Sequence, residues 1–326
     1  MVEVDEEKIK RIKNQILMLS PKTKLHRLTS TFYSDTELRL DIIAKKIVNE
    51  EEPPVILWNV QPWNTFNLLH AVYCQKLKEC IEIGFNCAVI LYDKLIEKKK
   101  GIPSQEKASL QEAVKNCIVR FKKAGLKEEK TEFLTESDLW SFIKFEEFAE
   151  TVTALAHLCD FDKNWTKREG VVSFIMDNLC EIYYESVINC DILLAGDVDV
   201  QSIWGLLRSK VLDRNLLPQY SPPLVLFYPT LMGIDSKPLS TSSDNNSLSI
   251  HHSNEEIRGR LVNCPEQFLE TLFDYLIIPW KQKIEVNGGI FHSFEELKEK
   301  LSMDEIRNLA FNYMKDYFYK IRGTEL

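Results

Sequence analysis

The stretch that decides the fold runs from residue 53 to residue 93 and reads PPVILWNVQPWNTFNLLHAVYCQKLKECIEIGFNCAVILYD. Its two prolines end the preceding helical pattern, and the apolar run Val55–Trp58 is typical of a buried parallel strand. An amphipathic pattern then predicts a helix over about 66–83, followed by a second buried strand at Cys87–Tyr92. Because a strand, a crossover helix and a strand form a right-handed βαβ unit, we expect a parallel sheet that binds ligands at the carboxyl ends of its strands.

The rest of the chain repeats this alternation of short apolar strands and amphipathic helices, and its last third is almost entirely helical. Further strands are predicted at residues 131–134, 191–196 and 224–228. The pattern predicts an α/β fold, a Rossmann-type parallel sheet flanked by helices with a smaller C-terminal helical domain. The expected parts are an N-terminal helical segment (1–52), a Rossmann-type domain (53–235) with a helical insertion (104–160), and a C-terminal domain (236–326) that opens with a Ser/Asn-rich loop.

The composition limits the class of protein. The chain has 326 residues, of which 44% are hydrophobic and 28% charged, and its formal net charge is −8. This balance argues against indiscriminate binding of nucleic acid, and we expect no DNA partner. Since there is no long apolar run and no signal-peptide pattern, we expect no membrane association and a cytoplasmic location. The eight cysteines include no C-x-x-C pair, which favours reduced thiols and no metal centre.

Several common catalytic motifs do not occur in the sequence. There is no G-x-x-x-x-G-K-[ST], G-x-G-x-x-G, G-x-S-x-G or H-E-x-x-H. A P-loop or a dinucleotide site would therefore lack the glycines that cradle phosphates.

Five segments, taken in order, resemble the catalytic region of class I aminoacyl-tRNA synthetases of the tyrosyl type. They are ILWNVQPWNTFNLLHAV (56–72), GFNCAVILYDKL (84–95), DILLAGDVDVQSIWGLL (191–207), LMGIDSKPLSTSSDNNSLSIHHSNEEIRGRL (231–261) and FEELKEKLSMDEIRNLAFNYMKDYFYKIR (294–322). The resemblance covers roughly residues 53–322. It implies that ATP, with Mg²⁺, and an amino acid form an aminoacyl adenylate, and that tRNA or another RNA is the acceptor. It also implies a homodimer through residues 104–160, and a paralogue that has lost activation would pair with a true synthetase or with a second copy of itself.

In this family two signatures position ATP, and the resemblance places candidate catalytic residues over both. The first supplies imidazole donors at a helix N-terminus, where the helix dipole favours phosphate, and it corresponds to Asn67 and His70. The second is a lysine-rich loop, which corresponds to Lys237 and Thr241. For His70, a helix residue satisfied by a neighbour is an equally good interpretation. The candidate nucleotide-binding residues are Asn59, Gln61, Asn67, His70, Asp199, Ser240 and Ser242.

The residues that would hold the amino acid differ most from the family pattern. Tyrosyl enzymes have a tyrosine on the first strand and a Tyr-x-x-x-Gln-x-x-Asp set on a helix, and a site that loses such hydrogen-bond partners loses its selectivity for a phenol. Asp177 and Glu181 are four residues apart on one helix, which suits a cationic group or an ordinary solvated helix face. The candidate pocket residues are Leu57, Asp93, Asp177, Glu181 and Tyr184.

Three interpretations therefore stay open at this stage. The chain is a divergent tyrosyl-type protein unable to activate tyrosine in the usual way, and one form of this is an inactive paralogue that acts as a binding or regulatory module. Alternatively, it is an ATP-dependent ligase for a different amino acid. The third interpretation is an α/β protein unrelated to the family.

Overall fold

A five-stranded parallel sheet forms the centre of the fold, with the strand order β3-β2-β1-β4-β5. The computed structural model describes residues 6–18, 36–49, 52–62, 66–93, 107–142, 146, 148–151, 171–196, 221–228, 230–239 and 245–323. The strands of the sheet are β1 (Val55–Val60), β2 (Asn86–Leu91), β3 (Thr131–Thr135), β4 (Ile192–Gly196) and β5 (Leu224–Tyr228). All the strands predicted from the sequence are present, and the predicted fold class is confirmed.

The helices alternate with these strands and then continue to the end of the described chain. In chain order they are α1 (Glu6–Met18), α2 (Thr36–Asn49), α3 (Leu68–Ile83), α4 (Lys107–Ala124), α5 (Glu136–Trp140), α6 (Val171–Ile188), α7 (Asn254–Val262), α8 (Glu266–Leu272), α9 (Ile278–Lys281), α10 (Phe294–Lys300) and α11 (Met303–Arg322). A π-helical turn, Phe273–Ile277, joins α8 to α9. A short antiparallel hairpin, which the sequence patterns did not predict, is formed by β6 (Ile284–Val286) and β7 (Gly289–Phe291).

The chain divides into two compact units. The first contains residues 1–60, 80–103 and 130–229, and the second contains residues 61–79, 104–129 and 230–326. None of the described helices is long and apolar enough to cross a bilayer.

The sheet of the first unit is held by buried apolar side chains and by one polar anchor. Ile56 and Val89 are fully buried and lie on adjacent strands, with Trp58 opposite Val89 in the β1–β2 register. The carboxylate of Asp191, just before β4, accepts the backbone N–H of Val55 at 2.9 Å and forms a 2.7 Å ion pair with Lys46 on α2. This carboxylate therefore ties the starts of β1 and β4 to a flanking helix.

The second unit is a helical body in which α11 packs against α4, α7 and α10. Three of its helices, α7, α10 and α11, begin at serine caps. Ser253 and Ser302 form capping boxes with Glu256 and Glu305, in which each side chain satisfies a backbone N–H of the other residue. Fully buried aromatic side chains fill the interior of this unit, among them Phe66, Phe121, Phe268, Phe273, Phe294 and Phe318.

Candidate functional site

The start of helix α3, to which the resemblance assigns the first signature, is capped by its own residues. The side-chain oxygen Oδ1 of Asn67 accepts the backbone N–H groups of Leu69 at 3.2 Å and of His70 at 3.4 Å. The Nδ1 atom of His70 lies 2.9 Å from this oxygen and 3.3 Å from the backbone nitrogen of Asn67, and the tautomer decides which contact is the hydrogen bond. Asn67 is thus the N-cap of α3, and His70 supports the cap.

A segment that follows the Ser/Asn-rich loop covers the same helix start. The N–H of Leu68 donates to the carbonyl of Leu248 at 2.8 Å, and the N–H of Ile250 donates to the carbonyl of Phe66 at 3.0 Å. Between them, Asn67 and Ser249 form an antiparallel bridge. Because of this pairing, Asn67 is fully buried and His70 is only 1% exposed.

The imidazole of His70 lies in an apolar environment. Its ring centroid is 5.8 Å from that of Phe66 and 6.2 Å from that of Phe121. Burial, together with the positive charge of Arg120, lowers the pKa of His70 to about 3. His70 is therefore neutral near pH 7 and offers no positive charge to a phosphate.

The segment to which the resemblance assigns the second signature is preceded by a hydrogen-bonded turn. The side-chain amide of Asn246 donates to Asp235 Oδ1 at 3.1 Å and to the carbonyl of Pro238 at 3.0 Å, and the backbone carbonyl of Asn246 accepts the N–H of Ile234 at 2.9 Å. Lys237 extends from this turn with 78% of its side chain exposed, and its Nζ lies 3.8 Å from Asp235 Oδ2. The one lysine that the sequence assigns to the loop therefore has a carboxylate neighbour.

The candidate pocket in the first unit contains a buried group of phenols and carboxyls. Tyr184 on α6 is fully buried, and its hydroxyl donates to Glu136 Oε1 at 3.0 Å. The ring of Tyr92, which follows β2, lies 6.4 Å from the ring of Tyr184. Burial and the nearby Glu181 raise the pKa of Tyr92, and burial and Glu136 raise the pKa of Tyr184. We name Tyr92, Glu136, Glu181 and Tyr184 the phenol–carboxyl cluster.

The other pocket and nucleotide candidates have separate environments. Leu57 is fully buried in β1, and the side-chain oxygen of Asn59, on the same strand, is buried without a hydrogen-bond partner among the described residues. The carboxylate of Asp93 accepts the backbone N–H of Ser137 at 3.1 Å and its hydroxyl at 2.5 Å. Gln61 is half-buried in the second unit.

Some predicted site residues lie outside the described part of the chain. They are Asp199, Ser240, Thr241 and Ser242, together with the side chain of Asp177, whose backbone belongs to α6. Their assignment to the site, like that of the described candidates, stays a prediction.

Comparison with known proteins gives one consistent result. The tyrosine–tRNA ligase of Methanobrevibacter smithii is 30% identical over 237 residues, which cover 70% of this chain and 70% of the relative. This chain belongs to the tyrosine–tRNA ligase family. The ligase of Methanosarcina acetivorans is 24% identical over 326 residues, covering 88% of this chain and 99% of that protein. No family model matches the chain.

Solved structures of the family have the same fold. The tyrosyl-tRNA synthetase of Aeropyrum pernix matches with a TM-score of 0.71 at 14% identity, covering 97% of this chain and 94% of that one. The enzyme of Archaeoglobus fulgidus, solved with L-tyrosine, matches with a TM-score of 0.65 at 20% identity, covering 88% and 93%. The resemblance seen in the sequence segments is therefore confirmed as membership of this class I, tyrosyl-type group.

Within the family, ATP is the substrate that the fold implies, and the described groups that the resemblance assigns to its phosphates have partners within the chain. The first-turn N–H groups of Leu68, Leu69 and His70, which would face an anion at a helix N-terminus, all donate within the chain. His70 is uncharged near pH 7, and Lys237 lies beside Asp235. Among the described residues, no group of three or more His, Cys, Asp or Glu side chains is placed to hold a metal ion.

Sequence reasoning did not find two parts of this arrangement. Glu136 belongs to no recognisable motif in the sequence, although it follows a predicted strand and therefore falls at the carboxyl edge of the sheet. The pairing of Phe66–Leu68 with Leu248–Ile250 joins segments about 180 residues apart in the chain. No local pattern marks it, because each segment is an isolated bridge rather than a strand.

Proposed function

We propose that this chain keeps the fold of the tyrosine–tRNA ligase family, does not activate tyrosine in the usual way, and acts as a binding or regulatory module. One observation carries the proposal: the start of α3 is closed by Asn67 and by the backbone of Leu248 and Ile250. Adenylate formation depends on groups that neutralise charge as it develops on the phosphates. A helix start whose N–H groups are already bonded contributes little to that neutralisation.

The candidate amino-acid pocket supports the same proposal. The position that the resemblance assigns to the phenol-binding aspartate is Tyr184, and it is fully buried against Glu136. Leu57 stands where the family has a tyrosine, and it supplies no hydroxyl. A site that selects a phenol by hydrogen bonds loses that selectivity when its partners are replaced.

The partner that we expect is tRNA. The relatives are ligases that by name act on tRNA, and matches extend over most of this chain. With a net charge of −8, the chain is expected to bind RNA through a local surface rather than by overall charge. The alternative partner is a synthetase or a second copy of the chain, and the binding assays below distinguish these from tRNA.

The decisive experiment is ATP–pyrophosphate exchange with each of the twenty amino acids, with the Methanobrevibacter smithii ligase as the positive control. We expect no exchange above background with tyrosine. Exchange with tyrosine would contradict the proposal, and exchange with another amino acid would favour the ligase alternative. Gel-shift titration with total tRNA and with duplex DNA, over a range of salt concentrations, then tests the partner. A mixture with a purified tyrosyl-tRNA synthetase, followed by sedimentation, tests the protein alternative.

A further inference from the structure

The phenol–carboxyl cluster is an unusual feature of the first unit, because it places phenols and carboxyls together in the interior. Tyr184 is fully buried, Tyr92 is 6% exposed and Glu136 is 6% exposed. A buried polar group is costly unless it is hydrogen-bonded, and apolar residues would fill the same space at lower cost. A cluster of this composition therefore calls for a reason other than packing.

The cluster lies where parallel α/β sheets place their ligands. Tyr92 directly follows β2, and Glu136 directly follows β3, so both come from the carboxyl edge of adjacent strands. Ligands of such sheets bind in the crevice outside this edge. Tyr184 enters the same place from α6 and donates its hydroxyl to Glu136 at 3.0 Å. The geometry is that of a phenol held by a carboxyl group, with the phenol supplied by the chain.

We infer that Tyr184 is a built-in occupant of the amino-acid position, where its phenol group takes the space and the carboxyl partner that a bound phenol would otherwise use. The inference rests on the proposed function, in which the chain does not activate tyrosine. It adds a reason, because a pocket already occupied by Tyr184 would not admit tyrosine. Glu136 is then a phenol acceptor whose ligand is permanently attached. The ligand class for the vacated position is a para-substituted phenol.

The neighbouring tyrosine on the same helix provides a matched comparison. Tyr183 is also buried, at 5% exposure, but its hydroxyl pairs with the hydroxyl of Thr151 at 2.8 Å and its ring packs on Phe148 with centroids 5.1 Å apart. Its partner is a neutral hydroxyl, whereas the partner of Tyr184 is a carboxyl group. A carboxyl group offers two acceptor oxygens, whereas a threonine hydroxyl offers a single oxygen that also carries a proton to donate.

The test removes the built-in phenol and offers a free one. In Tyr184→Ala, p-cresol should bind saturably and raise the melting temperature, while toluene, which has the same ring and no hydroxyl, should bind more weakly. An engineered cavity of this kind takes up a ring-sized ligand, and the carboxyl of Glu136 adds the preference for a hydroxyl. Binding is measured by calorimetry and by thermal melting over a concentration series. The unaltered chain should show no response to either compound.

Two further variants keep the inference falsifiable. Tyr184→Phe retains the ring and the fold, so it should bind neither compound, and binding of p-cresol to it would overturn the inference. Tyr183→Ala should show a weaker preference for p-cresol over toluene than Tyr184→Ala. An equal preference in the two alanine variants, or no binding to Tyr184→Ala, would also overturn the inference. If Tyr184→Ala does not stay folded alone, refolding in p-cresol but not in toluene is the supporting result.

The outcome separates this inference from the proposed function. Exchange with tyrosine by the unaltered chain would contradict the proposed function whatever the variants do. Silence in exchange, combined with no p-cresol binding to Tyr184→Ala, would leave the proposed function in place and overturn only the built-in occupant. L-tyrosine, tested beside p-cresol on Tyr184→Ala, shows whether the vacated space admits the whole amino acid.

Discussion

The Nδ1 atom of His70 lies 2.9 Å from Oδ1 of Asn67, and the same oxygen accepts the backbone N–H groups of Leu69 and His70. Two residues that the family resemblance assigns to a phosphate site thus bond to each other at the start of α3. A group that caps a helix satisfies backbone donors that would otherwise be left without a partner. The first expectation from this relationship is that both residues contribute to stability.

We expect Asn67→Ala to lower the free energy of unfolding by about 1–2 kcal/mol, since it removes the acceptor of two first-turn N–H groups. Asn67→Ser keeps a capping oxygen and should retain most of the stability. Urea unfolding followed by circular dichroism measures both variants. If serine costs as much as alanine, the loss comes from the cavity left by the side chain rather than from the cap.

His70 makes stability depend on pH in a defined direction. Its pKa in the folded chain is about 3, below the ordinary histidine value of about 6.5, so the unfolded chain takes up the proton first as pH falls. The contribution of neutral, buried His70 to the free energy of unfolding is therefore fully present above about pH 6.5. Below that pH it decreases by about 1.4 kcal/mol for each pH unit, until the pKa of the folded chain is reached. Between pH 6.5 and pH 5 this amounts to roughly 2 kcal/mol.

The variant that checks this is His70→Gln, which keeps a polar side chain near the cap and loses the titration. Its free energy of unfolding should fall less than that of the unaltered chain between pH 7 and pH 5. His292→Gln is the matched control, because it makes the same substitution at an exposed side chain. If the free energy of unfolding falls equally with pH in the unaltered chain and in His70→Gln, burial of His70 does not cause the pH dependence.

The sequence predicted the sheet because local patterns carry that information. Short apolar runs such as Val55–Trp58 and Cys87–Tyr92 favour strands that are buried on both faces, because every side chain in them is apolar. Both runs lie in strands of the parallel sheet or at their ends. The closing of the α3 start was not predictable in the same way. It depends on contacts between Phe66–Leu68 and Leu248–Ile250, which are distant in the chain and have no periodic pattern.

The hairpin of β6 and β7 shows a second limit of sequence reasoning. Each strand has only three residues, too few to show a period of two, although the Asn287–Gly288 pair between them is a strong turn signal. Both residues have positive φ, at 51° and 77°, as a turn of this kind requires. For the candidate site, the sequence found Tyr184 but not its partner Glu136, since the pairing depends on the placement of α5 after β3.

Gly233 should tolerate no side chain, because the turn that leads into the second signature packs on its backbone. A Cβ added there would lie 2.5 Å from the carbonyl oxygen of Asn246 and 2.7 Å from its side-chain nitrogen. Gly233→Ala is expected to lower the free energy of unfolding by about 1–3 kcal/mol, the range typical of overpacking. Gly259→Ala is the control, since a Cβ there meets nothing within 4 Å. As an exposed helix position in α7, it should gain about 0.5–1 kcal/mol. Equal effects at the two glycines would contradict the close approach.

Asp191 should be the most sensitive polar position at the amino edge of the sheet. Its carboxylate accepts the N–H of Val55 at 2.9 Å and pairs with Lys46 at 2.7 Å, and only 14% of its side chain is exposed. Asp191→Ala leaves the N–H and the ammonium group without their acceptor, and we expect a loss of about 3 kcal/mol. Asp304→Ala removes an ion pair with Arg307 at 3.3 Å in which the aspartate is 90% exposed, and it should cost about 0.5 kcal/mol or less.

Chemical unfolding of the two variants at low and high salt makes the comparison. The loss at Asp191 should persist in high salt because the group is shielded from solvent, and a loss that disappears there would show that the anchor acts only by surface charge.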